Sequence, residues 1–202
     1  ASRFLIRRTP VDAEDGRPVA VGVENAHLVH TTQLLPANRT DNVADQVRSV
    51  LKQLDALLAE YRTPRSQLVK LNVYVTSLQV RQVVERSLGD WLPTGCWPAV
   101  AHVQTPLADP QAKVAIDAVF PAQRVRSAAG VQYTVGVEKD RVSRFARSSV
   151  LPRGDVVYVS GQARPGSLQE ATTATMSGLF ETLEFMTVRK QDIVQIKCFT
   201  DP

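Results

Sequence analysis

His102 and Asp117 are the two residues of this sequence whose types best suit acid–base chemistry. An imidazole can take a proton as general base while a carboxylate orients it, and both residues lie on predicted strands, residues 99–105 and 113–120. The alternative is structural, because a single histidine beside an apolar run is more often a packed, hydrogen-bonded residue. We favour the structural interpretation, and the sequence assigns no catalytic residue.

The cysteines and the other histidines do not indicate a metal site. Cys96 and Cys198 are the two cysteines of the chain, too few for a disulfide scaffold and without the second pair that a zinc site needs. We expect both to be reduced and to pack as small hydrophobic residues. His27 and His30 are three positions apart, so a strand would point them to opposite faces and they do not form a metal pair.

Apolar spacing predicts a sheet with two helices between residues 27 and 120. The clearest helix begins at Val43, with Thr40 or Asp41 as its N-cap and Pro64 preventing its continuation. Strands are expected at residues 27–34, 67–76, 99–105 and 113–120, with a second helix at 80–92. The order β-α-β-α-β-β predicts an α/β (α+β) fold, a mixed sheet with two helices on one face.

The other face of this sheet needs cover that the two helices cannot give. Residues 67–76 place Val69, Leu71, Val73 and Val75 on one almost wholly aliphatic face. A large exposed apolar patch is rare on a soluble monomer. We therefore expect oligomerisation or the pairing of domains.

The second half of the chain begins to repeat the first. Two segments align with earlier strands: residues 156–162 with 28–33, and residues 192–199 with 67–74. The first alignment places Gln162 on Gln33. Between these segments, Ser167 and Glu170 have the spacing of a capping box, in which each side chain satisfies a backbone N–H at the start of a helix. A repeat this long is the most informative feature of the chain.

The repeat predicts two domains. Residues 1–123 would form a complete domain, and residues 124–202 the first part of a second, lacking its C-terminal helix and strands. A sheet without its last strands would expose unpaired backbone edges. We therefore predict a second chain that completes the C-terminal repeat.

Charge and hydropathy bear on partners and location. The net charge is +4 and the pI about 9.3, but the basic residues are not gathered into a groove with aromatic residues, so no nucleic-acid partner is expected. No stretch approaches the roughly 18 apolar residues of a membrane span, and the opening residues lack a signal sequence. We expect no membrane association and a cytoplasmic protein.

Four motifs in order resemble those of the RidA/YjgF family of small trimeric proteins. They are VYVSGQ at residues 157–162, DIVQIKCF at 192–199, QLVKLNVYVTS at 67–77 and KVAIDAV at 113–119. The resemblance covers most of the chain and identifies it as a tandem-repeat member with a truncated second repeat. It implies a chorismate-mutase-like fold in which three domains surround a central barrel, so that tandem copies would make a pseudo-trimer.

The resemblance also implies an activity, which this sequence modifies. Family members hydrolyse reactive enamines and imines, without a metal or organic cofactor, at clefts between neighbouring domains. Their carboxylate-binding Arg falls on Val100 here, and the Glu thought to position water falls on Ala115. Loss of both groups predicts an inactive first-repeat site.

The second repeat keeps other positions that contact ligand in the family. Ser160 and Gly161 match such positions, Phe145 is the candidate for a ligand-facing Tyr, and His102, on the same strand face as Val100, joins them as a substrate-binding candidate. Each has a structural alternative. Gly161 can allow close backbone approach, Phe145 can belong to the core, and Ser160 can bond a neighbouring strand.

Two functions compete on this basis. The first is a RidA-like enzyme that hydrolyses or binds small imine, enamine or carboxylate metabolites at inter-domain clefts. The second is a non-catalytic metabolite-binding or scaffold module of the same fold. Val100 and Ala115 favour the second function, whereas Ser160 and Gly161 favour the first. Ribonuclease activity, attributed to some relatives, finds no support in the distribution of basic and aromatic residues.

Overall fold

A computed structural model describes residues 4–9, 17–38, 41–125, 131–138, 141–193 and 196. These residues form nine strands and three α-helices. The strands are β1 (Leu5–Arg8), β2 (Ala20–Ala26), β3 (Leu28–Thr31), β4 (Lys70–Val75), β5 (Ala99–Gln104), β6 (Val114–Pro121), β7 (Gln132–Glu138), β8 (Arg141–Val150) and β9 (Gly154–Val159). The helices are α1 (Val43–Glu60), α2 (Leu78–Trp91) and α3 (Leu168–Phe185).

The helices α1 and α2 form where the apolar spacing predicts them. Asn42 caps α1 by accepting a hydrogen bond from the backbone N–H of Asp45, one residue after the predicted cap. Ser77 caps α2 in the same way through the N–H of Val80. The observed helices therefore lie within about two residues of the predicted ones, which is the usual uncertainty in helix termini.

A six-stranded mixed sheet carries these helices on one face. Its strand order is β5-β4-β6-β3-β8-β7, and only the β4–β5 pair is parallel among its described pairs. The apolar stripe of α1, including Leu54 and Leu57, packs with α2 against Leu71, Val73 and Ile116 of the sheet. The predicted mixed α+β sheet with helices on one face is thus confirmed.

A second sheet covers part of the face that the helices leave open. Its order is β1-β2-β9, so it combines strands from both ends of the chain. Val21 and Val23 of β2 pack with Val69, Ala99 and Val119, which project from the large sheet on the side away from the helices. The aliphatic face expected to lack cover is mostly the face beneath the helices, since Leu71, Val73 and Val75 pack with α1 and α2 and only Val69 packs with the second sheet.

Strands from the first and second halves of the chain pair with each other at matching positions. Under the alignment of Gln33 with Gln162, Ala20 corresponds to Ser149 and His30 to Val159. The β2–β9 pair joins Ala20 to Val159, and the β3–β8 pair joins His30 to Ser149. The same pairing thus occurs twice in the same register, each time between one strand from the first half of the chain and one from the second.

Sequence reasoning missed part of this arrangement. β1, β2, β7 and β8 were not predicted, and the domain boundary at residues 123 and 124 remains a prediction. The capping box of Ser167 and Glu170 is present at the start of α3. The strand predicted at 192–199 falls mostly outside the described residues.

Candidate functional site

Ser160 and Gly161 attach the end of β9 to the outer edge of β5. The Ser160 hydroxyl accepts a hydrogen bond from the Val100 N–H at 3.1 Å and donates one to the Pro18 carbonyl at 2.8 Å. The Gly161 N–H donates to the Val100 carbonyl at 2.9 Å. Because β5 is an edge strand, these bonds satisfy backbone groups that would otherwise face solvent.

Gly161 is required by the closeness of this contact. A Cβ at this position would lie 3.0 Å from the Ala101 Cα and 3.1 Å from its Cβ. Such a contact with backbone cannot be relieved by rotating a side chain, so even alanine would push the segment away from β5. The structural alternatives considered for Ser160 and Gly161 therefore describe what both residues do in this structure.

Charged side chains meet beside the same strand. Glu85 of α2 is hydrogen-bonded by Arg81, with Nε to Oε1 at 3.0 Å. The same oxygen lies 3.5 Å from Arg17 Nη1 and 3.8 Å from His102 Nε2. A carboxylate on α2 is thus placed between two guanidinium groups and an imidazole.

Opposing effects act on the pKa of Glu85. Partial burial favours the neutral acid and raises this pKa, but the hydrogen bond and charge of Arg81 lower it. Arg17 and His102 add smaller effects in the same direction as Arg81. The pKa of Glu85 is lowered as a result, so the carboxylate stays ionised and holds the cations around it.

Arg17 is also fixed by an aromatic ring. Its Cζ atom lies 4.6 Å from the centre of the Trp97 ring, within the range of a cation–π interaction. Trp97 comes shortly before β5, and Arg17 directly precedes Pro18, which accepts the Ser160 hydroxyl bond. We call this group of residues the β5 edge site: Arg17, Glu85, Val100, His102, Ser160 and Gly161.

His102 and Asp117 do not form the acid–base pair considered from the sequence. In the β4–β5 and β4–β6 registers, His102 is opposite Val73, whereas Asp117 is opposite Asn72. Successive residues of a strand point to opposite faces, so His102 faces the helices and Asp117 faces away from them. The pair is therefore separated by the sheet.

Asp117 belongs instead to a polar cluster on the far face. Asn72 donates to its Oδ1 at 2.6 Å, and the Tyr74 hydroxyl donates to its Oδ2 at 2.9 Å. Burial, followed by the nearby Asp117 charge and this hydrogen bond, raises the pKa of Tyr74 to about 12. The phenol is thus kept neutral as a donor to the carboxylate.

Val100 and Ala115 are both packed inside the protein. Val100 is 6% exposed and Ala115 is fully buried. In the β4 registers, Val100 is opposite Leu71 and Ala115 is opposite Tyr74, which places them on opposite faces of the sheet. In this structure both side chains therefore form part of the protein interior.

The structure thus brings three of the four predicted site residues to one edge of the sheet. Ser160 and Gly161 bond Val100, and His102 follows two residues later on β5. Phe145 lies on β8, but its side chain falls outside the described residues. Sequence reasoning missed Arg17 and Glu85, because Arg17 lies in a stretch without periodic pattern and Glu85 reads as an ordinary polar position of a helix.

The described residues contain neither a cluster of metal ligands nor a helix that could span a membrane. No group of three or more His, Cys, Asp or Glu comes together there as metal ligands would. Within those same residues, no helix is long and apolar enough to cross a bilayer.

Comparison with known proteins gives matches in sequence and in structure. The sequence model of the family described as Endoribonuclease L-PSP matches residues 19–120. A RutC family protein of Haemophilus ducreyi is 26% identical over 82 residues, which are 41% of this chain and 70% of that protein.

Solved structures with a similar fold are more distant. A member of the YjgF protein family from Neisseria meningitidis has a TM-score of 0.46 at 24% identity, over 59% of this chain and 97% of its own. A Rid family protein of unknown function from Yersinia pestis has a TM-score of 0.43 at 21% identity, over 57% of this chain and 94% of its own.

Proposed function

The chain belongs to the Endoribonuclease L-PSP family, the family of the RidA and YjgF proteins, and from this premise we propose that it binds small carboxylate, imine or enamine metabolites at the β5 edge site without hydrolysing them there. The observation that carries the proposal is the docking of Ser160 and Gly161 on Val100. It joins the second repeat to the first at a place where cationic side chains also meet.

The electrostatics of the site support an anionic ligand. Arg17 and Arg81 both lie close to the carboxylate of Glu85, so guanidinium groups of the kind that bind anions meet at this site. Partly buried charges interact through a lower effective dielectric than water, which strengthens the attraction for an anion. A small carboxylate is therefore a better ligand here than a neutral or cationic metabolite.

The absence of hydrolysis is proposed from the residues at the family's catalytic positions. Val100 has no group that could bind a carboxylate, and Ala115 has none that could position water. Their side chains are buried on opposite faces of the sheet. A single substitution could not restore both functions at one place.

We further propose that the protein works as an oligomer or pseudo-trimer. The pairing of β2 with β9 and of β3 with β8 supports this proposal, because strands from the two halves of the chain accept each other as neighbours. Native mass spectrometry of the protein purified from its source measures the composition of the assembly. A particle containing a single copy of one chain would contradict this part of the proposal.

Isothermal titration calorimetry of the full chain tests the binding function. Pyruvate is the probe, and pyruvamide, which has the same shape without the charge, is the matched control. We expect saturable binding of pyruvate and none of pyruvamide. Equal heats from both compounds, or from neither, would contradict the proposal.

An assay of imine hydrolysis separates the two competing functions. A 2-imino acid is generated in solution, and the appearance of the 2-oxo acid is followed with and without the full chain. We expect the same rate in both. A rate that rises in proportion to protein concentration would establish the enzymatic function in place of the binding function.

A further inference from the structure

We propose that the C-terminal end of α3 is a docking site for an amphipathic helix that is not among the described residues, seated on α3 as α2 is seated on α1. The site is a groove of about 450 Å³ whose apolar lining comes from Phe180, Leu183 and Val188. We call it the α3 groove. It shares no residue with the β5 edge site, so the proposal does not depend on the ligand of that site.

The chain has the same local structure at the ends of α1 and α3. Two residues after each helix comes a residue with positive φ, Arg62 at 56° and Thr187 at 58°. A short 3-10 helix follows in both places, Arg65–Gln67 after α1 and Lys190–Asp192 after α3. All these pairs have the same separation along the chain as the starts of the two helices. The surfaces beside the two helix ends can therefore be compared residue by residue.

On α1 this surface is covered by the end of α2. The Trp91 indole N–H donates to Asp55 Oδ2 at 3.1 Å, and Arg65 Nη1 donates to the Trp91 carbonyl at 3.0 Å. The Arg65 guanidinium also lies against the Trp91 ring, with Cζ 4.6 Å from the ring centre. One turn earlier in α2, Leu88 is buried in the same core as Leu58 of α1. The surface thus binds the apolar face and the last turn of a helix.

The α3 groove has other side chains at the equivalent positions. Phe180 takes the place of Asp55, and Lys190 takes the place of Arg65. The Lys190 ammonium lies 3.9 Å from the centre of the Phe180 ring, within the range of a cation–π interaction. Within the described residues, no second helix packs on α3 as α2 packs on α1. The surface that α2 covers on α1 is therefore open on α3.

The two exchanges define the chemistry of the helix that fits the α3 groove. Phe180 offers no acceptor for an indole N–H, which would lose its hydrogen bond on burial, so phenylalanine fits better than tryptophan at the end of the helix. Lys190 can donate to the carbonyls that a helix leaves unpaired in its last turn, as Arg65 donates to the Trp91 carbonyl. The partner is thus an amphipathic helix whose apolar face ends in a side chain without a polar group.

The apolar surface of α3 extends beyond the groove and calls for an occupant of helical length. Met176 and Leu179 are half-buried, whereas their counterparts Leu51 and Leu54 are buried in α1. An occupant as long as α2 covers these positions as well, which a small molecule at the end of α3 could not do. The α2 of a second copy does not qualify, because α2 is already packed on its own α1.

Binding of a synthetic helix to the full chain tests the proposal. The probe is a fluorescein-labelled peptide of residues 77–92, the α2 segment, carrying Trp91→Phe, and its binding is followed by fluorescence anisotropy. We expect saturable binding. The control peptide also carries Leu88→Asp, which places a charge on the apolar face, and should bind at least about tenfold more weakly. Absence of binding by the probe, or equal binding of both peptides, would contradict the proposal.

Two variants of the chain locate the bound peptide. Phe180→Ala should weaken binding of the probe by about tenfold, because it removes apolar contact area. Phe185→Ala is the matched control, since Phe185 is on the same helix and 65% exposed. Its counterpart in α1, Glu60, pairs with Arg147. The control should bind within about twofold of the unmodified chain. An equal loss in both variants would mean that the peptide does not lie in the α3 groove.

An exchange of specificity tests the position of the end of the helix. The unmodified chain should bind the Trp91→Phe peptide about fivefold more tightly than the peptide with Trp91, as expected for one net hydrogen bond. Phe180→Asp combined with Lys190→Arg gives α3 the pair that Asp55 and Arg65 form beside α1. We expect this variant to prefer the peptide with Trp91. Loss of folding would weaken both peptides and could not reverse the preference. An unchanged preference would contradict the proposed docking.

Sedimentation velocity of the full chain without peptide tests whether a second copy is the occupant. We expect the sedimentation coefficient of the Phe180→Ala variant to equal that of the unmodified chain. If the unmodified chain self-associates and Phe180→Ala abolishes the association, the groove holds another copy and the proposal is wrong. None of these measurements depends on pyruvate binding, so the docking site and the proposed function stand or fall separately.

Discussion

The helices α1 and α3 have the same length and the same kind of start but differ in how they are packed. Each has 18 residues, and each begins at a side-chain cap, Asn42 for α1 and Ser167 for α3. Seven residues of α1 are buried, whereas in α3 only Leu183 is. Since length and capping are shared, the difference lies in tertiary contacts. The cap and the backbone hydrogen bonds of a helix involve only nearby residues, whereas the burial of its side chains depends on the sheet against which the helix packs.

Truncation of a leucine in each helix should show this difference most strongly. Leu54 of α1 is fully buried, so Leu54→Ala leaves a cavity and should lower the free energy of unfolding by about 2–5 kcal/mol. Leu179 of α3 is half-buried, and Leu179→Ala should cost much less. Urea denaturation of both variants measures the two losses. Equal losses would mean that α3 is packed as tightly as α1 in solution.

Two glycines, one at the start of β9 and one just after its end, offer a second comparison. Alanine at Gly161 would lie 3.0 Å from the Ala101 Cα, whereas Gly154 has no neighbour within 4 Å of an added Cβ. We expect Gly161→Ala to destabilise the protein by about 1–3 kcal/mol through overpacking. Gly154→Ala should be close to neutral. Thermal melting of the pair tests the contact between the repeats, and matching melting temperatures would show that the segment does not dock on β5.

The features predicted from the sequence were the local ones. The spacing of apolar residues located α1 and α2, and the capping box of Ser167 that marks the start of α3 is present because it involves only neighbouring residues. The pairing of β2 with β9 joins residues far apart in the chain, and no local pattern specifies which of two similar strands is the partner. The error over the N-cap, Asn42 instead of Thr40 or Asp41, arose because several adjacent residues are good caps.

The β5 edge site was predicted only in part for the same reason. Ser160, Gly161 and His102 could be picked out because they lie on or beside recognisable strands. Arg17 reaches the site through long-range contacts with Trp97 and Glu85, for which the sequence gives no signal. Residues placed by tertiary contacts become candidates only once the fold is known.

A buried hydroxyl joins the end of α1 to strands β7 and β8 and provides a smaller test. The Tyr61 hydroxyl lies 3.0 Å from the Ser148 hydroxyl and 2.9 Å from that of Thr134. Tyr61→Phe should lower the free energy of unfolding by about 1 kcal/mol, because it removes these bonds. Tyr133→Phe is the control, since Tyr133 is 68% exposed. If the two variants are equally stable, α1 does not engage the second repeat in solution.

The smallest expected effect concerns a tyrosine that the second repeat lacks. In the alignment of residues 67–74 with 192–199, Tyr74 corresponds to Phe199, so Tyr74→Phe gives the first repeat the residue of the second. The pKa of Tyr74 is raised to about 12 by burial and then by Asp117. The folded state therefore holds the phenolic proton more tightly than the unfolded chain does. This contribution to stability is complete below the ordinary pKa of 10.0 and is lost as pH rises towards 12.

Urea denaturation at about pH 8 and about pH 11 measures this contribution. We expect the unmodified protein to lose more stability over that interval than Tyr74→Phe does. Burial also raises the pKa of Tyr158 to about 12. Because both proteins contain Tyr158, it changes their stability with pH by the same amount and does not contribute to the difference between them. The exposed Tyr133→Phe variant should follow the unmodified protein, because its phenol is already in solvent. If Tyr74→Phe follows it as well, the phenol of Tyr74 ionises as in the unfolded chain, and the Asn72–Tyr74–Asp117 cluster does not protect it.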